Sequence, residues 1–497
     1  MKKILLVGCA VTAASAYSLM EPATPESQGM SSEAILRFID GCEKMFDAGE
    51  LGAMHGFVIV RHGKVIAEGS WKPFDTLHET HMLYSHSKSF TSSAVGLLVD
   101  EGRLDLDERV VDIFSNDVPA KVSENLAQLR VRDLLTMNVG KKDHVLSDSG
   151  NWVREFLAQE FFLKPGTGFK YDSDATYMLA AIVERKSGER MMDYLKRKMF
   201  DRIGITKAWS TTSPQGIPCG GWGMNMTTRE LARFGLLYLN RGQWDGQSVL
   251  SPLWVDLATA RHTWSGWKDV GVRALGEGGD WEQGYGFQFW RCTHGAYRAD
   301  GAGGQYTVVM PDQDMVVSAH ANTGDFVKEL DLVWDDLLPA AQSAPLPENP
   351  EACAKLRERL ANLRIAPPAA LAEAADAPVG KTFAFKDNKR GFRSVRLDVA
   401  ADGWTLKLVT PAGEQSIPVG NGVWTQGAMR IDTESYENLG GFIGEHRTAA
   451  AGGLRNGKFF VRVYFTRDAG NLDLTFSDGR VSGLLRIMRG CPLESNP

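Results

Sequence analysis

A serine followed three residues later by a lysine occurs as Ser85-His86-Ser87-Lys88 and again as Ser265-Gly266-Trp267-Lys268. On a helix, positions i and i+3 share one face, so the amine can come within hydrogen-bond reach of the hydroxyl. An amine whose pKa is lowered by burial can take the serine proton. A serine at a helix N-terminus also has a free backbone N–H with which to hold an oxyanion. Together these make a nucleophile for acyl transfer. Ser85 opens a stretch with apolar residues at Phe90, Ala94, Leu97 and Leu98, the spacing of an amphipathic helix, and Gly102 stands where its C-cap belongs. Ser265 lies in a Gly/Trp-rich loop and reads as a chance occurrence. No Gly-x-Ser-x-Gly elbow is present.

Competing chemistries find less support. His78-Glu79-Thr80-His81 lacks the His-Glu-x-x-His spacing of zinc proteases, and ten histidines without close cysteine or carboxylate partners imply no metal. There is no Gly-x-Gly-x-x-Gly or phosphate loop, so no nucleotide cofactor is implied. His86 reads as a packing or solvent-facing residue, since Lys88 already fills the role of base. Trp209, Trp222, Trp281 and Trp290 read first as core residues and only second as the lining of a cleft.

These side chains need a scaffold. The 497 residues are 43% hydrophobic and 23% charged, an ordinary globular composition, and suggest two to four domains. Lys+Arg number 55 against 61 Asp+Glu, a net charge of −6 that points to no nucleic-acid partner. Gly56–Val60 and Gly63–Ile66 read as a β-hairpin. Helical patterns follow at Val131–Met137, Tyr177–Lys186 and Thr228–Asn240, the last opening with Thr228-Arg229-Glu230. Strand signals return at Tyr306–Met310 and Met315–Ser318. A strand, many helices and then strands of the same sheet predict a mixed α/β or α+β domain over residues 21–341. Residues 342–380 form an Ala/Pro-rich linker holding a short charged helix, Ala352–Leu363. From 381 to 497 the pattern has period two, at Val395/Leu397/Val399, Trp404/Leu406/Leu408, Val461/Val463/Phe465 and Leu472/Leu474/Phe476. That pattern predicts an antiparallel β domain, a small barrel or sandwich.

Several stretches together resemble one family. Leu83-Tyr84-Ser85-His86-Ser87-Lys88, Gly96-Leu97-Leu98 and Glu101-Gly102-Arg103-Leu104-Asp105-Leu106-Asp107 resemble the nucleophile helix of the serine β-lactamase/penicillin-binding superfamily. The likeness is to its class C β-lactamase-like branch, which also holds D-aminopeptidases, D-Ala-D-Ala carboxypeptidases, carboxylesterases and 6-aminohexanoate-dimer hydrolases. Arg132-Asp133-Leu134-Leu135-Thr136, Pro165-Gly166-Thr167, Tyr171-Asp172-Ser173, Gly220-Gly221-Trp222 with Thr228–Gly235, and Gly301–Pro311 match further family segments in order. The resemblance implies an α+β domain, an antiparallel sheet flanked by helices plus an all-helical region. It implies catalysis by Ser85, Lys88 and Tyr171. A phenol of pKa ~10 needs a nearby cation to act as base or relay, and Lys88 supplies one. Ser173 stands where the family's Tyr-x-Asn triplet has asparagine and offers fewer hydrogen bonds to substrate or Lys88.

The third motif departs further. Aligning Ala299-Asp300-Gly301 with the family's Lys-Thr-Gly or His-x-Gly makes the Ala302 N–H the second oxyanion donor beside that of Ser85; a register shifted by two places Gly301-Ala302-Gly303 there. Neither puts a cation in the triplet, where one would hold the carboxylate of a β-lactam or D-Ala-D-Ala peptide. The resemblance therefore implies an enzyme cleaving a neutral ester or amide of a small or peptide-like substrate, without a cofactor. The alternatives are a β-lactamase or D-Ala-D-Ala carboxypeptidase, and a non-catalytic ligand-binding protein of the same fold.

Lys2-Lys3, the apolar run Ile4–Ala13 and Ala14-Ser15-Ala16 form a signal-peptide pattern with cleavage expected after Ala16, hence a periplasmic or secreted protein. A lipoprotein reading at Leu6-Val7-Gly8-Cys9 leaves too short an apolar run before the cysteine. No later stretch is long enough to span a membrane. Of six cysteines, Cys9 leaves with the signal; Cys42, Cys219, Cys292, Cys353 and Cys491 form no disulfide framework, though a Cys353–Cys491 bridge is open.

Overall fold

The computed structural model describes residues 19–47, 53–141, 150–265, 278–432, 444–487 and 489–496. The expected signal segment and Lys268 of the second Ser-x-x-Lys lie outside them. The predicted hairpin is β1 (Met54–Arg61) and β2 (Lys64–Ser70), and the late strands are β3 (Trp290–Arg291), β4 (Tyr297–Gly301), β5 (Gln305–Met310) and β6 (Met315–Ala321). They form one antiparallel sheet in the order β2-β1-β6-β5-β4-β3, with Val58 opposite Ser318. Every residue of β1 is buried because apolar layers cover both faces of the sheet. Phe57 and Ile59 join one core, and the alternate residues Val58 and Val60 join the other.

The first of those cores is roofed by α1 (Ser32–Asp47). The second contains the helical region between β2 and β3: α2 (Ser87–Asp100), α3 (Ser173–Ser187), α4 (Thr228–Leu239) and α5 (Pro252–Thr259). α4 is capped one residue earlier than the sequence suggested. The Thr227 hydroxyl accepts from Glu230 N at 3.2 Å while the Glu230 carboxylate accepts from Thr227 N at 2.9 Å, a capping box.

α2 corrects the expectation of an amphipathic helix. All residues from Ser87 to Leu98 are buried. Four of its small hydroxyls find partners on other elements. Ser87 Oγ accepts from Met224 N (3.1 Å), Ser89 donates to Gln288 O (2.7 Å), Thr91 donates to Gly220 O (2.9 Å), and Ser93 pairs with the Tyr238 hydroxyl (2.8 Å). The helix is thus buried by matched hydrogen bonds as well as by apolar contact.

The Ala/Pro-rich segment is more ordered than its composition implies. Its helix, α6, spans Pro350–Ala361, with Asn349 Oδ1 accepting from Ala352 N as an N-cap and Pro350 at the first position. Leu356 and, just beyond the helix, Leu363 are buried with α1 in the first core, and Arg359 reaches Glu43 on α1. The Cys353–Cys491 bridge does not form. Cys353 Sγ lies 2.9 Å from Glu26 Oε2, Cys491 is in the β domain, and all five described cysteines are free.

The C-terminal strands are β7 (Thr382–Ala384), β8 (Ser394–Ala400), β9 (Gly403–Thr410), β10 (Gly413–Asn421), β11 (Thr425–Ile431), β12 (Gly444–Arg455), β13 (Lys458–Phe465), β14 (Asn471–Ser477), β15 (Arg480–Ile487) and β16 (Arg489–Glu494). They pair in the order β7-β8-β9-β10-β12-β13-β14-β15-β16, with β11 on β12. A bridge between Phe385 and Ser495 joins the two ends, so the sheet closes as a barrel. Its interior is filled by the period-two residues, among them Leu397, Trp404, Leu406, Val463 and Leu474. Val399 is the exception: at the β8 end it is 54% exposed, because the strand runs past the core before its turn. Among the described residues no helix is long and apolar enough to cross a membrane.

The packing of α2 on α5 is tight at one point. A Cβ on Gly96 would collide with the indole of Trp254, which is itself buried. Gly96→Ala should lower stability by about 1–3 kcal/mol through overpacking. The measurement is the urea midpoint, which should fall; an unchanged midpoint would show that α5 can retreat freely.

Candidate active site

The chain enters the site through His81–Met82, which pairs with Met224–Met226, and Leu83 N donates to Met224 O at 2.8 Å. A single 3₁₀ turn, Tyr84–His86, then leads into α2. Ser85 is partly exposed at this turn. Lys88, one helical turn on, is only 1% exposed. Its Nζ lies 3.0 Å from Ser85 Oγ, 3.0 Å from Ser173 Oγ and 2.6 Å from the Gly221 carbonyl.

Those three partners would satisfy the three N–H donors of an ammonium ion, and they also suit the neutral amine. The latter has two N–H donors and one lone pair. The Gly221 carbonyl can only accept, so it takes one N–H. Ser173, which can accept, takes the other, and the lone pair is left for the Ser85 O–H. Burial lowers the Lys88 pKa to about 7, while the charges of Asp172, Asp300 and Asp174 act in the opposite direction.

Tyr171 and Ser173 reach the cleft from the start of α3, and their alternate neighbours turn inward. Asp172 caps the helix, its Oδ1 accepting from Asp174 N at 2.9 Å. Lys141 lies 3.1 Å from Asp172 Oδ2 and 2.8 Å from Asp174 Oδ2, a buried ion triad that pins both sides of Ser173. The Tyr171 ring stacks on Trp290 at 5.5 Å, with Lys88 Nζ 4.8 Å from its centroid. Burial first and the Asp300 charge second hold the phenol far above its ordinary pKa. Near neutral pH Tyr171 is therefore an O–H donor, and Lys88 is the group placed to accept a proton.

β4 forms the opposite wall. Gly301 lies flat against the Ser85 turn; a Cβ there would collide with the Leu83 carbonyl and sit 3.1 Å from His86 N. Ala302 follows, partly exposed. A cation does stand beside the triplet, contrary to what the triplet alone suggests, but it is already paired. Arg298 is fully buried, lies over Trp281 and Trp290 (4.3 and 5.6 Å), and its Nε pairs with Asp300 Oδ2 at 2.9 Å. Asp300, not an arginine or lysine, is the charged group that acts on both Lys88 and Tyr171. Burial raises its carboxyl pKa, and Arg298 and Lys88 offset part of that rise.

Other candidates are placed elsewhere. Ser265 is buried with its hydroxyl donating to Trp281 O and accepting from Gly284 N. His86 is buried with its ring stacked 5.8 Å from Phe90. His78 is exposed against Asp75, whereas His81 is buried 2.9 Å from His55. Of the tryptophans, Trp290 borders Tyr171, Trp281 lies under Arg298, Trp222 packs on Trp152, and Trp209 is half-exposed. Sequence reasoning missed the Gly221 carbonyl, the Arg298–Asp300 pair and the Lys141 triad. The acidic residues on both sides of Ser173 are the one available signal for the last.

Comparison with known proteins gives a family and a fold. The family model described as Beta-lactamase matches residues 43–342. The 6-aminohexanoate-dimer hydrolase of Paenarthrobacter ureafaciens is 28% identical over 329 residues, covering 61% of this chain and 80% of that protein. The lovastatin esterase of Penicillium rubens is 25% identical over 170 residues, covering 29% of this chain and 42% of its own. Among solved structures, a Bacteroides dorei protein provisionally assigned as a β-lactamase aligns with a TM-score of 0.51 at 17% identity, over 61% of this chain and 98% of its own.

The electrostatics give a pH prediction. Below pH 7 the Lys88 amine is protonated and has no lone pair for the Ser85 proton. The rate of fluorophosphonate labelling should therefore rise with pH through an inflection near 7. Asp300→Asn removes a charge that favours the ammonium form, so its inflection should move to lower pH. A labelling profile that is flat through this region, or an inflection that moves upward, would contradict the assignment of Lys88 as the titrating group.

Proposed function

The chain belongs to the β-lactamase family, and on that premise we propose that it is an exported serine hydrolase cleaving an amide or ester bond of a small or peptide-like substrate through a Ser85 acyl-enzyme. One observation carries the reading: the buried Lys88 amine, fixed by the Gly221 carbonyl and Ser173, lies 3.0 Å from the Ser85 hydroxyl. Lys88 takes the Ser85 proton as Oγ bonds to the substrate carbonyl carbon, and the N–H groups of Ser85 and Ala302 hold the resulting oxyanion. The Tyr171 O–H passes a proton to the departing amine or alcohol and is reprotonated from Lys88, so the carbonyl–leaving-group bond breaks with proton balance kept. Water, deprotonated by the same Lys88–Tyr171 pair, then attacks the acyl carbon and releases the acid and free Ser85.

The charge of the wall supports a neutral ester or amide as substrate. Arg298 is buried against Asp300, so it is not free to hold a substrate carboxylate. The esterase among the relatives agrees with that class. Export is supported by the residue pattern of Lys2 to Ala16.

A panel of p-nitrophenyl esters, D-amino-acid amides and nitrocefin tests the reading. The expected result is ester or amide turnover with little nitrocefin hydrolysis, abolished by Ser85→Ala and reduced about 10²–10⁴-fold by Lys88→Ala. Rapid nitrocefin turnover or a lasting penicillin adduct on Ser85 would instead identify a β-lactamase or D-Ala-D-Ala carboxypeptidase. No labelling of Ser85 by any probe would mark a non-catalytic binding protein.

A further inference from the structure

The residue before Ser85 is held by the other half of the chain. Tyr84 has φ +49°, the left-handed region, which is uncommon for a bulky side chain. It is buried, and its hydroxyl donates to Asp468 Oδ1. Asp468 is 2% exposed and sits in the Thr466–Gly470 turn between β13 and β14 of the barrel. Its neighbour extends the grip, since Met82 N donates to Arg467 O at 3.0 Å. Ala469 packs with Met82, Tyr84 and Ala302, and a Cβ on Gly303 would come within 2.7 Å of its own. Glu79 anchors the same turn through Arg467 and receives Arg447 from β12 as well. One short barrel turn therefore touches both the segment that carries Ser85 and the loop that carries Ala302.

We propose that this barrel turn completes the acyl-transfer site, with Asp468 a positioning residue that holds Tyr84 left-handed and so points the Ser85 and Ala302 N–H groups at one spot. The inference rests on Ser85 being the nucleophile. Its physical basis is that a strained backbone persists only where its surroundings over-determine it. Without an acceptor, the buried phenol has no partner and the turn is free to relax, carrying the Ser85 N–H with it. Moving an oxyanion donor weakens transition-state contacts more than ground-state binding.

The test uses the full chain and a p-nitrophenyl ester. Asp468→Ala should lower kcat about 10–100-fold with little change in KM, and Asp468→Asn, which keeps an oxygen acceptor, should restore most of it. Tyr84→Phe keeps the ring and should reproduce the loss. If Asp468 acts through Tyr84, the double variant should be no slower than either single one. Should the alanine variant fail to fold, the tyrosine and asparagine variants still separate a positioning role from a purely structural one. Wild-type kcat in Tyr84→Phe, losses that multiply in the double variant, or an asparagine variant as slow as the alanine one would overturn the positioning role while leaving the Ser85 reading intact. A wild-type protein that Ser85 probes do not label would remove both.

Discussion

Burying a lysine ammonium costs several kcal/mol unless the charge is matched or given up, and Lys88 sits in the interior with three partners of which none is a carboxylate. That constraint organises the rest of the site. Burial favours the neutral amine, whose two hydrogens then have fixed acceptors and whose lone pair faces the one group left. Gly221 and Ser173 come from distant segments to supply the acceptors. The acids nearby, Asp172 and Asp174, are committed to Lys141, and Asp300 to Arg298. They tune the amine from outside hydrogen-bond range and do not capture it.

The scaffold answers to the same demand for close, matched contact. A helix with a solvated polar face could not lie in the interior, and α2 does so by carrying hydroxyls short enough to bond to four neighbouring residues. The sheet contributes backbone alone at its closest approach, where Gly301 lets β4 lie against the Leu83 carbonyl. Both are contacts in which a larger side chain would hold the elements apart.

Much of this neighbourhood is legible in the amino-acid sequence because its signals are local or patterned. The i, i+3 spacing of Ser85 and Lys88 needs only a helix, the β1–β2 hairpin needs only apolar runs around a turn, and the barrel strands declare themselves by alternation. What escapes is pairing. Any residue has a carbonyl, so nothing marks Gly221 as the acceptor for Lys88. The triplet at Asp300 reads as lacking a cation, although Arg298 two residues earlier on the strand lies beside it and is neutralised there. Val399 follows the alternation and is exposed all the same, because a period states which face a residue takes, not where the core ends. Tyr84 gives no hint of its partner, since 384 residues separate it from Asp468.

The arrangement of the central sheet also bears on how the molecule comes to be. β1 enters early and waits for β6, with Val58 finding Ser318 only after the whole helical region has been made. Pairings this remote in sequence carry a large loop-closure entropy and form slowly. The Asp300–Gly301 wall therefore finds its seat against the Ser85 turn only once the strands through β6 have been made and paired.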